Sequence, residues 1–180
     1  MKTVAAFIDG RLKIAVGSIT EFDGDAIVNA ANSGLLGGGG VDGAIHAAAG
    51  PDLLRECRAI RTETLPDGLP AGQAVATGAG RLKARVVIHT VGPVWHGGSR
   101  GEPELLSSCY SESLSLARER GLHSVAFPAI STGVYGYPKE KAASIAFSAI
   151  SEFLEKNRVP ELIVLVFYSE KDANIFLSAL

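Results

Sequence analysis

Asn29, Asn32, the four consecutive glycines Gly37 to Gly40, and Asp42 follow one another in an order that suits ligand binding. Glycines carry no Cβ, so the backbone at 37–40 can take positive φ and come within contact distance of a ligand. Val41 to Ala49 has helix-forming composition, with Asp42 in the first turn, where a carboxylate suits the positive end of the helix dipole. Ahead of the glycines, Asp25 to Val28 is apolar and β-branched and reads as a buried strand whose end delivers Asn29 and Asn32. A strand, a glycine loop and a helix N-terminus in that order make an anion site, because free N–H groups converge there. A glycine run by itself equally suits a flexible linker. Here it is bracketed by a strand and a helix, and two side-chain amides stand at the strand end, where α/β proteins place ligands.

A second stretch repeats the arrangement. Ser124 to Pro128 reads as a short strand, Ala129 to Tyr137 as a loop holding Gly133, Gly136 and two tyrosines, and Pro138 as the opening of a helix that lasts to about Asn157. The loop is longer than the usual ~2–6 residues of a βα connection.

The elements that must position these loops alternate along the chain. Thr3 to Ile8 and Leu12 to Val16, joined through Asp9-Gly10, predict a hairpin. Gly50-Pro51 ends the first helix and starts a second, whose Leu53, Leu54, Cys57 and Ile60 form a core stripe. Ala74 to Thr77 and Arg85 to Val91 read as strands, the second buried enough to be central. His89 within it is expected to be a hydrogen-bonded core residue rather than a catalyst. Residues 92–101, with Trp95 and His96, form a glycine-rich connection long enough to be a rim or lid. Helix at 102–120, strand at 161–168 and helix at 171–180 complete the chain. This alternation predicts one domain spanning residues 1–180: a three-layer α/β/α sandwich around a mixed, mostly parallel sheet, with the N-terminal hairpin as an antiparallel edge.

At 180 residues such a domain buries roughly 70% of its unfolded surface and needs no metal or disulfide staple. Basic residues number 17 and acidic 19, for a net charge of −2, with no block of like charge, so a general electrostatic grip on nucleic acid is not expected. Cys57 and Cys109 lack metal spacing and read as buried reduced thiols. Met1 to Ile8 is too short an apolar run for a leader and no segment approaches ~20 apolar residues. A soluble, cytoplasmic protein without membrane partners is expected.

Taken together these residues resemble the macrodomain family, the ADP-ribose-binding α/β fold, and its MacroD-like hydrolase branch in particular. The resemblance rests on Ala-Ile-Val-Asn-Ala-Ala-Asn at 26–32, Gly-Gly-Gly-Val-Asp-Gly-Ala-Ile-His at 38–46, Ala-Ala-Gly at 48–50, Val-Ile-His-Thr-Val-Gly-Pro at 87–93 and Pro-Ala-Ile-Ser-Thr-Gly-Val-Tyr-Gly-Tyr-Pro at 128–138. It implies that Asn32 orients the distal ribose, that the backbone of Gly38, Gly39, Gly40 and Val41 lines the diphosphate and distal ribose, and that Asp42 activates or positions the attacking water. Asn29 and Ile19 fall among the ligand-binding positions. Ser131, Thr132, Gly133, Val134, Tyr135 and Gly136 match the segment that wraps the phosphates, Tyr135 lying beside the distal ribose, and Tyr168 matches the aromatic that stacks on adenine. One position departs from the pattern. The family commonly has Gly-Asp-Ile-Thr where this chain has Gly17-Ser18-Ile19-Thr20, so the acceptor for the adenine amino group becomes a neutral hydroxyl and adenine selectivity should fall.

The resemblance thus implies a monomeric enzyme that removes mono-ADP-ribose from acidic side chains of ADP-ribosylated proteins, deacetylates O-acetyl-ADP-ribose, or both, with ADP-ribose as ligand and no cofactor or metal. Two other readings stay open. One is a reader that binds ADP-ribose without cleaving it, and the other a hydrolase acting on an ADP-ribosylated nucleic-acid end, which needs little basic surface.

Overall fold

A computed structural model describes residues 1–180. The strands are β1 (Lys2–Phe7), β2 (Leu12–Val16), β3 (Ala26–Ala31), β4 (Ala74–Gly78), β5 (Val86–Val91), β6 (Ser124–Phe127) and β7 (Leu162–Phe167). The helices are α1 (Gly40–Ala49), α2 (Pro51–Glu63), α3 (Glu102–Glu119), α4 (Lys139–Lys156) and α5 (Glu170–Ser178), and Ile19–Glu21 forms a 3-10 turn. All seven strands join one sheet in the order β1-β2-β7-β6-β3-β5-β4.

From β2 to β5 every pairing is parallel, while β1 pairs antiparallel with β2 as expected. The structure adds a second antiparallel edge, β4 against β5. Its cause is chain length: a parallel return needs a crossover of a dozen or more residues, and the connection 79–85 is too short for one.

Alternation along the strands divides the core into two layers. Ala26 and Val28 of β3, with Ile163, Leu165 and Phe167 of β7, pack among 27 buried residues against α3, α4 and α5. Ile27 and Ala31, with Val164 and Val166, face 18 buried residues that include Ile45 of α1 and Leu53 and Cys57 of α2. Period-two burial on both faces is what a covered parallel sheet requires, and it makes the three-layer α/β/α sandwich.

Asp25 sets how the central strands align. Its Oδ2 accepts from the backbone N–H of His123 (2.8 Å) and Ser124 (3.1 Å), and its Oδ1 from Arg85 (3.0 Å). Burial alone would raise its pKa, but these donors outweigh burial and hold it below the usual carboxylate value. The starts of β3, β5 and β6 are thereby tied together, so their far ends, where the loops open, are placed relative to one another.

Candidate functional site

Because β2, β7, β6, β3 and β5 are parallel and adjacent, the loops that follow them open at one sheet end in that order. They are 17–20 after β2, Tyr168 after β7, 128–138 after β6, 32–39 after β3 and 92–101 after β5. With neighbouring strands ~4.8 Å apart, the row from β2 to β3 spans about 15 Å. It carries Ser18 and Ile19 at one end, Tyr168 next, Ser131 to Gly136 in the middle, and Asn32 with Gly38 to Asp42 at the other end.

At the β3 end, Gly39 is the residue before α1, and no side chain caps the helix. The N–H groups of Gly38, Gly39, Gly40 and Val41 donate to no acceptor within the protein. Gly40 has φ 57° and Gly37 φ 91°, which glycine adopts freely. Asn32 Nδ2 donates to the Gly37 carbonyl at 3.1 Å, closing the loop's base. A Cβ on Gly38 would stand 3.0 Å from Asp42 Oδ2 and 3.3 Å from Asn32 Nδ2. One acceptor and one donor therefore face the same point, and glycine keeps that point open.

Asp42 is only 5% exposed. Its Oδ1 accepts from Asn29 Nδ2 at 2.7 Å and lies 3.5 Å from Nε2 of His46, one helical turn on. Asn29 is fully buried within β3, opposite His89 of β5. Counted among the ligand-binding positions by resemblance, Asn29 is placed by the structure one layer behind the cleft, spending its amide on Asp42 and His89. His89 is fully buried and hydrogen-bonded, as its apolar strand predicts. Burial first, and the neighbouring His46 second, push its pKa from 6.5 down to about 3, so the ring is neutral at physiological pH. Cys57, whose Sγ lies 3.8 Å from His89 Nε2, is pushed up to about 11 by burial and then by the nearby charges of Asp42 and Glu56. It stays a thiol, and both cysteines are free and buried.

The middle loop closes on itself through Tyr137 N to Ser131 O (3.0 Å) and Gly136 N to Gly133 O (3.0 Å). The N–H groups of Thr132, Gly133, Val134 and Tyr135 donate to no acceptor within the protein, while Val134 projects fully into solvent. Ser131 has φ 64° and its buried Oγ has no hydrogen-bond partner. Gly92 lies against it, since a Cβ there would meet Ser131 Oγ at 2.1 Å.

Residues 92–101 form a fixed rim. Trp95 N donates to Tyr135 O at 2.9 Å, and the Trp95 and Tyr137 rings stand 4.6 Å apart. Glu102, 2% exposed, turns back to accept from the N–H of His96 (2.8 Å), Gly98 (3.1 Å) and Arg100 (2.6 Å).

At the β2 end, Ser18 is half-buried with its hydroxyl 2.7 Å from that of Thr20, Ile19 is buried, and Tyr168 is 87% exposed. The structure thus brings every expected site residue to one sheet end except Asn29, which lies beneath it. Sequence reasoning gave no role to His46, Thr77 or Glu102. The spacing of Asp42 and His46, four apart on one helix, was a usable signal for the first. Nothing local marks the other two. No three His, Cys, Asp or Glu side chains gather as a metal site.

The Macro domain family profile matches residues 28–146. A Macro domain-containing protein of Methanosarcina mazei is 54% identical over 170 residues, covering 94% of this chain and 88% of the relative. An O-acetyl-ADP-ribose deacetylase of Citrobacter rodentium is 52% identical, covering 94% of each. Among solved structures, the Oceanobacillus iheyensis macrodomain with ADP superposes with a TM-score of 0.90 at 48% identity, over 93% of this chain and 88% of that one. The Trypanosoma brucei macrodomain in complex with ADP-ribose does so at 0.85 and 40% identity, over 94% and 68%. The cleft thus has the fold, the loops and the relatives of one family, and the chain belongs to the Macro domain family.

Proposed function

We propose that this protein is a hydrolase acting at the distal ribose of ADP-ribose conjugates, deacetylating O-acetyl-ADP-ribose and removing mono-ADP-ribose from acidic side chains of proteins, with no metal in the reaction. The observation that carries this reading is the pair over Gly38, Asp42 Oδ2 on one side and Asn32 Nδ2 on the other, beside a row of open N–H groups. The name of the Citrobacter rodentium relative and the ligands of the Oceanobacillus iheyensis and Trypanosoma brucei structures support it.

Laid along the sheet end, the adenine lies by Tyr168, Ser18 and Ile19. The diphosphate lies between the amides of 132–135 and those of 38–41, where dipoles and N–H groups favour negative charge. The distal ribose reaches Asn32, whose amide both donates to and accepts from hydroxyls. In deacetylation Asp42 draws a proton from a water that attacks the acetyl carbonyl, the ester C–O bond breaks, and the proton passes to the ribose oxygen, leaving acetate and ADP-ribose. In removal of ADP-ribose the water attacks the anomeric carbon, the bond to the protein carboxyl oxygen breaks, the proton of the water passes to the departing carboxyl group, and the Asp42 charge stabilises the oxocarbenium-like transition state. On this reading its partners are ADP-ribosylated proteins and it works as a cytoplasmic monomer, to which its two free thiols are suited.

Asp42→Ala tests the reading by calorimetry with ADP-ribose beside turnover of O-acetyl-ADP-ribose and of an automodified protein. Binding is expected within a few-fold of the parent and turnover lower by ~10²–10⁴-fold, and a chelator is expected to change neither. Unchanged turnover with intact binding would remove the role of Asp42. A parent protein that binds ADP-ribose and releases product from neither substrate is a reader instead.

A further inference from the structure

Asp42 is held from behind by groups that never reach the cleft. Asn29 and His89 are register partners on β3 and β5, both fully buried on the face covered by α1 and α2. Asn29 Nδ2 lies 2.7 Å from Asp42 Oδ1 and 3.1 Å from His89 Nδ1, and His89 Nε2 lies 2.9 Å from Thr77 Oγ1, itself 2.9 Å from the Gly78 carbonyl. Chemistry fixes the direction of each bond from both ends. A carboxylate only accepts, so the Asn29 atom facing Asp42 is the amide nitrogen. A backbone carbonyl only accepts, so Thr77 donates its single proton to Gly78 and accepts from His89 Nε2–H. His89 Nδ1 is then bare, and it takes the second hydrogen of the Asn29 amide.

We propose that His89 is a positioning residue for Asp42: as the neutral Nε2–H tautomer it accepts one N–H of Asn29 and thereby aims the other at the Asp42 carboxylate. A hydrogen on Nδ1 would meet the Asn29 NH₂ group head-on. The amide would have to turn over, setting its oxygen against Oδ1 of Asp42, where two acceptors repel. The depressed basicity of the buried ring guards against that state. The other groups that bear on Asp42 are His46 on its own helix, Asn32 across Gly38, and Cys57 on α2. The proposal rests on the reading of Asp42 as the residue that handles the water.

Two measurements on the full chain test it. Nitrogen-15 NMR at neutral pH is expected to show His89 as the Nε2–H tautomer, and an Nδ1–H tautomer or an imidazolium overturns the proposal whatever the variants do. The variants are His89→Leu, which offers no acceptor, and His89→Asn, whose Oδ1 stands where Nδ1 stood. His89→Leu is expected to lower kcat roughly 10- to 100-fold, with KM and the calorimetric affinity for ADP-ribose within ~3-fold. His89→Asn should recover most of the rate. Equal losses in both variants, or a loss that falls on KM and affinity instead of kcat, would make His89 a space-filler and overturn the proposal. Asp42→Ala in the same assay separates the two readings. If it abolishes turnover while His89→Leu is unimpaired, only the positioning role fails, and if it turns over at the parent rate, the functional reading falls and the positioning role with it.

Discussion

The two ends of the cleft are built on opposite plans. At the β3 end Asp42 is 5% exposed and braced through Asn29 by residues of three paired strands, β3, β5 and β4. At the β2 end Tyr168 is 87% exposed, and the hydroxyl of half-buried Ser18 is paired with that of Thr20. One end is organised before a ligand arrives, and on the proposed reading the other gains its contacts only when a base lies on it. Preorganised dipoles lower a barrier because they need not rearrange as charge develops, whereas a stacking face helps ground state and transition state alike. Substitutions at the β3 end should therefore act on rate, and those at the β2 end on affinity.

Asn32→Ala is the largest test of that division after loss of Asp42 itself. Asn32 faces the point above Gly38 and also holds the Gly37 carbonyl at 3.1 Å. Removing a preorganised donor typically costs ~10²-fold in kcat or more, so single-turnover rates should fall about that far while calorimetric affinity falls much less. An affinity loss as large as the rate loss would mean the two ends do not differ in kind. Tyr168→Ala should do the reverse, weakening ADP-ribose binding by ~10-fold, since base stacking contributes ~1–3 kcal/mol per base, with the loss appearing in KM. Because the side chain is so exposed, its thermal midpoint should stay at the parent value. Ser18→Asp should sharpen the contrast by strengthening the weak end. A charge-assisted bond to the adenine amino group should tighten binding by roughly 1–2 kcal/mol, and the gain should vanish with a hypoxanthine-containing analogue. Tightening that is indifferent to the base would show that position 18 does not touch it.

Most of the frame was legible in the sequence because it is written locally. The Asp9-Gly10 turn, the Gly50-Pro51 helix break and the apolar strands each announce themselves within a few residues, and the structure places them as expected. The arrangement behind Asp42 was not legible, because it is written across the sheet. An asparagine at the end of an apolar run reads as the point where a strand stops, and only pairing with β5 shows that β3 continues to Ala31, with Asn29 Nδ2 shared between His89 and Asp42 and its Oδ1 left without a partner. Glu102 misleads in a similar way. An acid in the first turn of α3 reads as a dipole-matched helix residue, yet it reaches backwards to gather three N–H groups of the rim. The Asn29 amide nitrogen and the Glu102 carboxylate both go to partners that composition and periodicity do not reveal.

The smallest expected effect is on stability, and it distinguishes the group behind the braced end from the group that holds the rim. The pKa of His89 is 6.5 in the ordinary case and about 3 in the fold, with burial the first cause. Below pH 6.5 the unfolded chain takes up a proton that the folded chain refuses, so the contribution of His89 is present above that pH and is lost as pH falls towards 3. Glu102 would be raised by burial, but the N–H groups of its own residue, His96, Arg100 and Gly98 outweigh that and lower it from 4.5 to about 2. Its contribution is present above pH 4.5 and lost as pH falls towards 2. Between pH 6.5 and 4.5 His89 therefore acts without Glu102, with a slope of at most about 1.4 kcal/mol per pH unit for a single proton. Denaturant midpoints measured from pH 7 to pH 3 should fall more gently for His89→Asn than for the parent throughout the upper window. For Glu102→Gln the two curves should run parallel there and converge only below pH 4.5. A His89→Asn curve parallel to the parent from pH 6.5 to 4.5 would mean that the ring takes its proton in the folded state, and Asn29 would then have no fixed amide to offer Asp42.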